Sequence, residues 1–249
     1  MKTIYIVIML AVIMNGSSCR KKTRVPEATI LGTVTVDLDA NISVIRKREC
    51  LLGNFICDAI SKKIASKGKA FDFVLVNGGN IRFSSSKRPS GFYPAGPFTN
   101  QMIDEMLPFG DESVIVKLNG RQLKEVFERS VAQYPLNKGP FLQLSKNIKI
   151  TIDTTKSAQT INLNEDGIVS AGNRITSIII NNTPCDTFSI YTVVLPSYVA
   201  EGNDGYVTLK KLAPNLKEQI DGEQVNAVKE LLINDGTVTP TIDGRIIYQ

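Results

Sequence analysis

Four short segments of the 249-residue chain carry side chains that could hold and orient a ligand. In Asn77-Gly78-Gly79-Asn80-Ile81-Arg82, the paired glycines let the backbone turn sharply and come close to a bound molecule. Asn77 offers an amide donor and acceptor there, and Arg82 a two-pronged guanidinium suited to phosphate. Leu107-Pro108-Phe109-Gly110-Asp111 fixes an aromatic ring between proline and glycine. The stretch from Tyr198 to Tyr206 sets an aromatic, Asp204 beside Gly205, and a second aromatic on one loop. Arg46-Lys47-Arg48-Glu49 brings cations to the start of a helix. Each has a plain alternative: a Gly-Gly turn with no ligand, a core aromatic, a solvated helix start. The glycine segment is neither a Walker loop, which needs Gly-x-x-x-x-Gly-Lys, nor a dinucleotide fingerprint, which needs a third glycine and a following helix.

Composition removes several chemistries outright. The chain has no histidine, so a Ser-His-Asp triad, a Cys-His pair, a histidine general base and every His-containing zinc site are excluded. Acid–base work would fall to carboxylates, Lys or Tyr. Asp37-x-Asp39-x-Asn41 opens like a calcium loop but has Ile42 where glycine is required and Arg48 where glutamate is required. Asn162-x-Asn164-x-Asp166-Gly167 has the glycine but ends at Asn173, and reads as a polar turn with a weak calcium site as the alternative. No metal site and no cofactor are expected in this chain. A net charge of +5 without interleaved basic and aromatic residues gives no nucleic-acid partner.

The elements that must position these segments follow from hydrophobic periodicity. Val34, Val36 and Leu38 alternate with polar residues as a half-buried strand; Leu51 to Ile64 carries apolar residues at spacings of three and four, a helix from Glu49 to Ser66 stopped by Gly68. Phe71 to Val76 and Val114 to Leu118 read as strands, and Asn119-Gly120 as the turn into a helix beginning near Arg121. Later strands are expected at residues 147–152, 174–180, 188–195 and 245–248, with a last helix carrying Val225, Val228, Leu231 and Leu232. With no linker between residues 28 and 249, the fold class is α+β, a single mixed α/β domain. On helical spacing Cys50 and Cys57 stand about 10.5 Å apart along the axis, too far to bridge. Cys50, Cys57 and Cys185 are expected to be buried and inert.

At the N-terminus Lys2 precedes eleven apolar residues, Ile4 to Met14, whereas a spanning helix needs roughly 20. Residues 1–18 read as a signal peptide. Gly16-Ser17-Ser18-Cys19 is similar to a lipobox, which makes Cys19 a lipidated N-terminus; ordinary cleavage leaving Cys19 a spare thiol is the alternative. Residues 20–27, with Arg20-Lys21-Lys22-Thr23-Arg24, form a basic tether. The expected location is across the inner membrane, in the cell envelope or periplasm, with membrane contact through the lipid anchor.

In this order the four segments resemble the C-terminal domain of the 5′-nucleotidase family: Arg46 to Glu49 with Leu52-Gly53-Asn54-Phe55-Ile56-Cys57-Asp58-Ala59 its opening helix, Asn77 to Arg82 its Asn-Gly-Gly-x-Ile-Arg loop, Leu107 to Asp111 its Pro-Phe-Gly segment, and Tyr198 to Tyr206 its Phe-x-x-x-Gly-Gly-Asp-Gly-Tyr segment. The resemblance runs from about Glu27 to Gln249. It implies that Phe109 and Tyr198 sandwich a base, Asp204 accepts hydrogen bonds from ribose, Asn77 touches the base edge, Gly79 lies against the ligand, and Arg46 and Arg82 face phosphate, with Arg48 a further cation. Two departures matter. Tyr198 stands for Phe and adds a hydroxyl that needs a partner, and Asn203 stands for a glycine, where its tolerance of positive φ would keep the loop's shape.

The metal-binding Asp-x-His and Gly-Asn-His motifs of the family's metallophosphatase domain have no counterpart in a chain without histidine. The resemblance therefore implies a nucleotide- or nucleoside-recognition half of a split 5′-nucleotidase-type phosphohydrolase, not catalytic alone, with metal ions and catalysis in a separate metallophosphoesterase chain. The alternative is a stand-alone envelope nucleoside- or nucleotide-binding lipoprotein with no catalytic role.

Overall fold

The computed structural model describes residues 27–162 and 164–249. The expected signal peptide, Cys19 and all but the last residue of the tether lie outside the described residues. The fold is built on a five-stranded sheet in the order Lys217–Glu223, Glu112–Asn119, Ile190–Pro196, Phe73–Asn77, Leu142–Leu144. Phe73–Asn77 runs parallel to Ile190–Pro196, with Phe73 opposite Val193; the other pairings are antiparallel. Successive side chains leave a strand by opposite faces. Val74, Val76, Ile115 and Val194 accordingly join one core, and Phe73, Leu75, Val116, Val193 and Leu195 the other. A strand covered on both faces has no polar side, which is why residues 73–76 are apolar without alternation.

One face is covered by the helices Leu51–Ser66 and Gln224–Asp235, with a small sheet of Thr237–Val238, Ile30–Val34 and Gly96–Thr99 beyond them. The other is covered by the helix Gly120–Val131 and a sheet of Thr183–Pro184, Ile175–Ile180, Ile148–Ile152 and Ile246–Tyr248. Cys50 caps the first long helix, its Sγ accepting the Gly53 N–H at 3.3 Å, and Gly68 ends it at φ 71°. Asn119 and Gln122 form a reciprocal capping box that starts the helix at Gly120. Among the described residues no helix is long and apolar enough to cross a membrane.

The strand expected over residues 33–38 is divided. Ile30–Val34 pairs with Gly96–Thr99, and Leu38–Asp39 pairs separately with Phe92–Tyr93. Between them Asp37 leaves the ladder, its Oδ1 accepting the Ala95 N–H at 2.7 Å. The acidic loops are closed by their own backbones: Asp39 Oδ1 accepts the Asn41 N–H at 2.8 Å, and Asn162 Oδ1 accepts those of Asp166 and Gly167 at 3.0 and 3.2 Å.

The cysteines divide as well. Cys50 and Cys57 are buried, but Cys185 is only partly so, because it sits in the turn between an edge strand and the exposed residues 186–190. Burial pushes the Cys50 thiol up to about 12 and raises that of Cys57, so neither supplies thiolate near neutral pH. Iodoacetamide treatment of the native chain is expected to label Cys185 and spare Cys50 and Cys57, read by peptide mass mapping. Equal labelling of all three before denaturation would contradict this packing.

Candidate functional site

The parallel register that sets Phe73 beside Val193 and Val74 beside Val194 brings the carboxyl ends of both strands to one side of the sheet, the end at which parallel strands of open α/β sheets place ligands. A cavity of about 460 Å³ lies there, lined by Arg46, Asn77, Gly79, Asn80, Arg82, Phe109, Asp111, Gly139, Tyr198 and Asp204. Every residue that the sequence marks for binding borders it, with the exception of Arg48, which is exposed outside the cavity. The Arg48 backbone is turned inward: its carbonyl and that of Ile45 accept the buried Gln143 amide at 2.8 and 2.9 Å. That clamp sets the turn from which Arg46 reaches the cavity.

Asp204 is the polar centre. Its carboxylate accepts Asn77 Nδ2 at 3.1 Å and the Tyr198 hydroxyl at 3.4 Å. The hydroxyl introduced at position 198 thereby has its partner. Asp204 itself takes the left-handed conformation, φ 59°, so the positive φ expected at Asn203 falls one residue later. Asn203 instead donates its amide to the Tyr198 carbonyl at 2.9 Å. Two long-range bonds hold the loop: Arg129 Nε donates to the Asp204 carbonyl at 2.8 Å, and the buried Tyr206 hydroxyl donates to the Pro140 carbonyl. Gly205 is required twice over, by φ 78° and because a Cβ there would stand 2.6 Å from the Arg129 guanidinium.

The glycines of the Asn77 segment serve close packing. Gly79 is not in the left-handed region; a Cβ on it would lie 2.8 Å from Asn77 Nδ2 and 3.1 Å from Gly139 Cα. The Gly79 N–H donates to the Gly139 carbonyl at 2.9 Å, so Gly139 joins the cavity lining, a role that the sequence does not announce. Arg46 bonds to both segments, donating to the Gly78 and Asn137 carbonyls at 3.3 Å.

Arg46 and Arg82 supply the positive charge. Burial and the charge of Arg82 lower the pKa of Arg46, with Asp204 opposing; burial lowers that of Arg82, again against Asp204. A guanidinium so shifted is still protonated at neutral pH. The Arg82 guanidinium lies over the Phe109 ring, 4.8 Å from its centroid, a cation–π contact, and also donates to the carbonyls of Gly79 and Ile81. Phe109 is 56% and Tyr198 42% exposed, so two aromatic rings are offered to solvent at one cavity. Asp111 and Asn80 join the lining although the sequence assigns neither a binding role. Burial raises the pKa of Asp111 against hydrogen bonds from Ser197 and the Tyr198 backbone. Exposed rings, a hydrogen-bonded carboxylate and two guanidinium groups suit a ligand with a flat apolar part, hydroxyls and an anion. Among the described residues no group of three or more His, Cys, Asp or Glu side chains is gathered to hold a metal ion.

The family model described as 5′-nucleotidase, C-terminal domain, matches residues 30–211. The 5′-nucleotidase of Mus musculus is 30% identical over 231 residues, covering 88% of this chain and 36% of that protein. The 5′-nucleotidase of Rattus norvegicus is 31% identical over 224 residues, with 88% and 36% covered. Among solved structures, the 5′-nucleotidase precursor from Thermus thermophilus matches with TM-score 0.75 at 27% identity, over 88% of this chain and 39% of that one. The NAD nucleotidase of Haemophilus influenzae shares the fold, with TM-score 0.68 at 19% identity over 89% of this chain and 38% of that one. The chain thus spans 36% of the length of the rodent proteins it matches. Sequence and fold likeness agree over most of its length: this protein belongs to the family of 5′-nucleotidase C-terminal domains.

Proposed function

We propose that this chain is the nucleotide-recognition half of a 5′-nucleotidase-type phosphohydrolase divided between polypeptides. The observation that carries the reading is the convergence of two exposed rings, Phe109 and Tyr198, with Asp204 and the cations Arg46 and Arg82 around one cavity. The rings stack the base, Asp204 accepts hydrogen bonds from the ribose hydroxyls, and the guanidinium groups neutralise phosphate. Asn77 supports the base-edge assignment: its Oδ1 is buried without a hydrogen-bond partner at the cavity wall, and such an acceptor is satisfied by a ligand N–H.

In this scheme a metallophosphoesterase chain supplies the metal ions that activate water. This chain's residues hold the reacting phosphate in position, which lowers the barrier by removing orientational freedom. The hydrophobic N-terminal run and Cys19 support a secreted, lipid-anchored envelope protein. The test is phosphate release from AMP by the purified chain. No release above background is expected from this chain alone, since 249 residues without histidine lack the family's metal ligands. A rate that survives rigorous removal of contaminating phosphatases and rises linearly with this protein would overturn the division of labour.

A further inference from the structure

Two polar side chains of the cavity lining, Asp111 and Asn80, have no role in the scheme above. Asp111 stands two positions beyond Phe109, and its carboxylate is held to the loop carrying Tyr198, accepting Ser197 Oγ at 3.3 Å and the Tyr198 backbone N–H. It therefore joins the two ring-bearing segments and lines the same cavity as both rings. Asn80 belongs to the same wall. It is 4% exposed, its Nδ2 donates to Gln224 Oε1 at 3.4 Å, and the Gln224 N–H donates to the Asp111 carbonyl at 2.8 Å. With the amide nitrogen so engaged, Asn80 Oδ1 is left buried without a hydrogen-bond partner. An ionised carboxylate accepts and does not donate, so Asp111 and Asn80 both bring acceptor oxygens to the lining of this cavity.

We infer that Asp111 and Asn80 form an acceptor wall that selects bases bearing an exocyclic amino group on the facing edge, such as adenine and cytosine, over bases bearing a carbonyl there, such as hypoxanthine and uracil. The inference rests on the nucleotide reading of the cavity. An amino group supplies N–H donors to both acceptors, whereas a carbonyl in its place sets oxygen against oxygen and leaves only the adjacent ring N–H of hypoxanthine or uracil, which pairs with one acceptor and leaves the other unpaired, a costly arrangement in a partly dehydrated site.

Calorimetric titration of the full chain with two nucleoside pairs, adenosine against inosine and cytidine against uridine, separates the possibilities. The amino member of each pair is expected to bind roughly tenfold tighter or more, the scale of one hydrogen bond to a charged acceptor. Asp111→Asn keeps the shape of the side chain and adds a donor, and is expected to bring both ratios toward one by improving the carbonyl member. Equal affinities within each pair in the native protein would overturn the acceptor wall while leaving the nucleotide cavity standing. A native preference unaltered by Asp111→Asn would remove Asp111 from the assignment. Failure of all four nucleosides to bind would overturn the nucleotide reading and the inference with it.

Discussion

Replacing Arg245 by methionine is expected to lower the unfolding free energy by about 3–5 kcal/mol, the cost of removing one partner from a buried ion pair. Arg245 is 1% exposed. Its guanidinium makes a bidentate pair with Asp58 at 2.8 and 2.7 Å, bonds to Asp243 at 2.7 Å, and donates to the Leu144 carbonyl at 2.8 Å. Burial alone would lower its pKa, yet the two carboxylates raise it above the ordinary value. The network continues through Glu49, which accepts the backbone N–H groups of Asp243 and Arg245 at 3.0 and 2.7 Å and the Asn54 amide at 2.7 Å. One cation thus ties the final strand to the first long helix. Its carboxylate partners are not equally enclosed: the Asp58 side chain is 41% exposed and that of Asp243 27%. Water therefore reaches them when the guanidinium is gone, which favours the lower part of the range. Urea unfolding followed by circular dichroism measures the loss, with a fall in thermal midpoint of roughly 10 °C for a chain of this size. A double-mutant cycle with Asp58→Asn should show strong coupling. A change below about 1 kcal/mol, the scale of an exposed pair, would mean that this cluster does not hold the terminus.

The contrast between Arg245 and Arg82 shows what the sequence makes legible. Arg82 follows Asn77-Gly78-Gly79 within a few positions of a strand end, so its segment declares both a turn and a cation from local pattern alone. The helices at Leu51 and Gly120 and the apolar strand before Asn77 are legible for the same reason, since each rests on local periodicity and adjacent stop signals. Arg245, by contrast, meets Asp58 across 187 positions, and nothing near it in sequence announces the pairing. The same holds for Arg129, which secures the Asp204 carbonyl from 75 positions away. Asn137 is hidden for a further reason: it serves through its backbone carbonyl, which any residue type would provide. The edge strand Lys217–Glu223 gives little sign of itself because only Ile220 in it is buried, so its period-two signal is a single residue.

Alanine at both Phe109 and Tyr198 is expected to abolish most nucleotide affinity while leaving the fold intact. Each base–aromatic stack contributes about 1–3 kcal/mol by alanine substitution, so loss of both weakens AMP binding by about 30-fold at the least. The rings are 56% and 42% exposed, and truncating side chains so open to solvent leaves no core cavity, so the thermal midpoint should hardly move. The two rings are not equivalent. Phe109 already carries the Arg82 guanidinium 4.8 Å from its centroid, so Phe109→Ala also releases a cation assigned to phosphate. Tyr198 hydrogen-bonds Asp204 at 3.4 Å, so Tyr198→Phe retains the stacking face and frees the carboxylate, and should cost far less than Tyr198→Ala. Ribose 5-phosphate, which lacks a base, distinguishes stacking from general damage to the cavity. If the rings stack the base, the double variant loses its preference for AMP over ribose 5-phosphate, while ribose 5-phosphate itself still meets Arg46, Asp204 and the untethered Arg82. Equal losses for both ligands would mean that the aromatics shape the cavity without contacting a base. Unchanged AMP affinity would remove them from the site altogether.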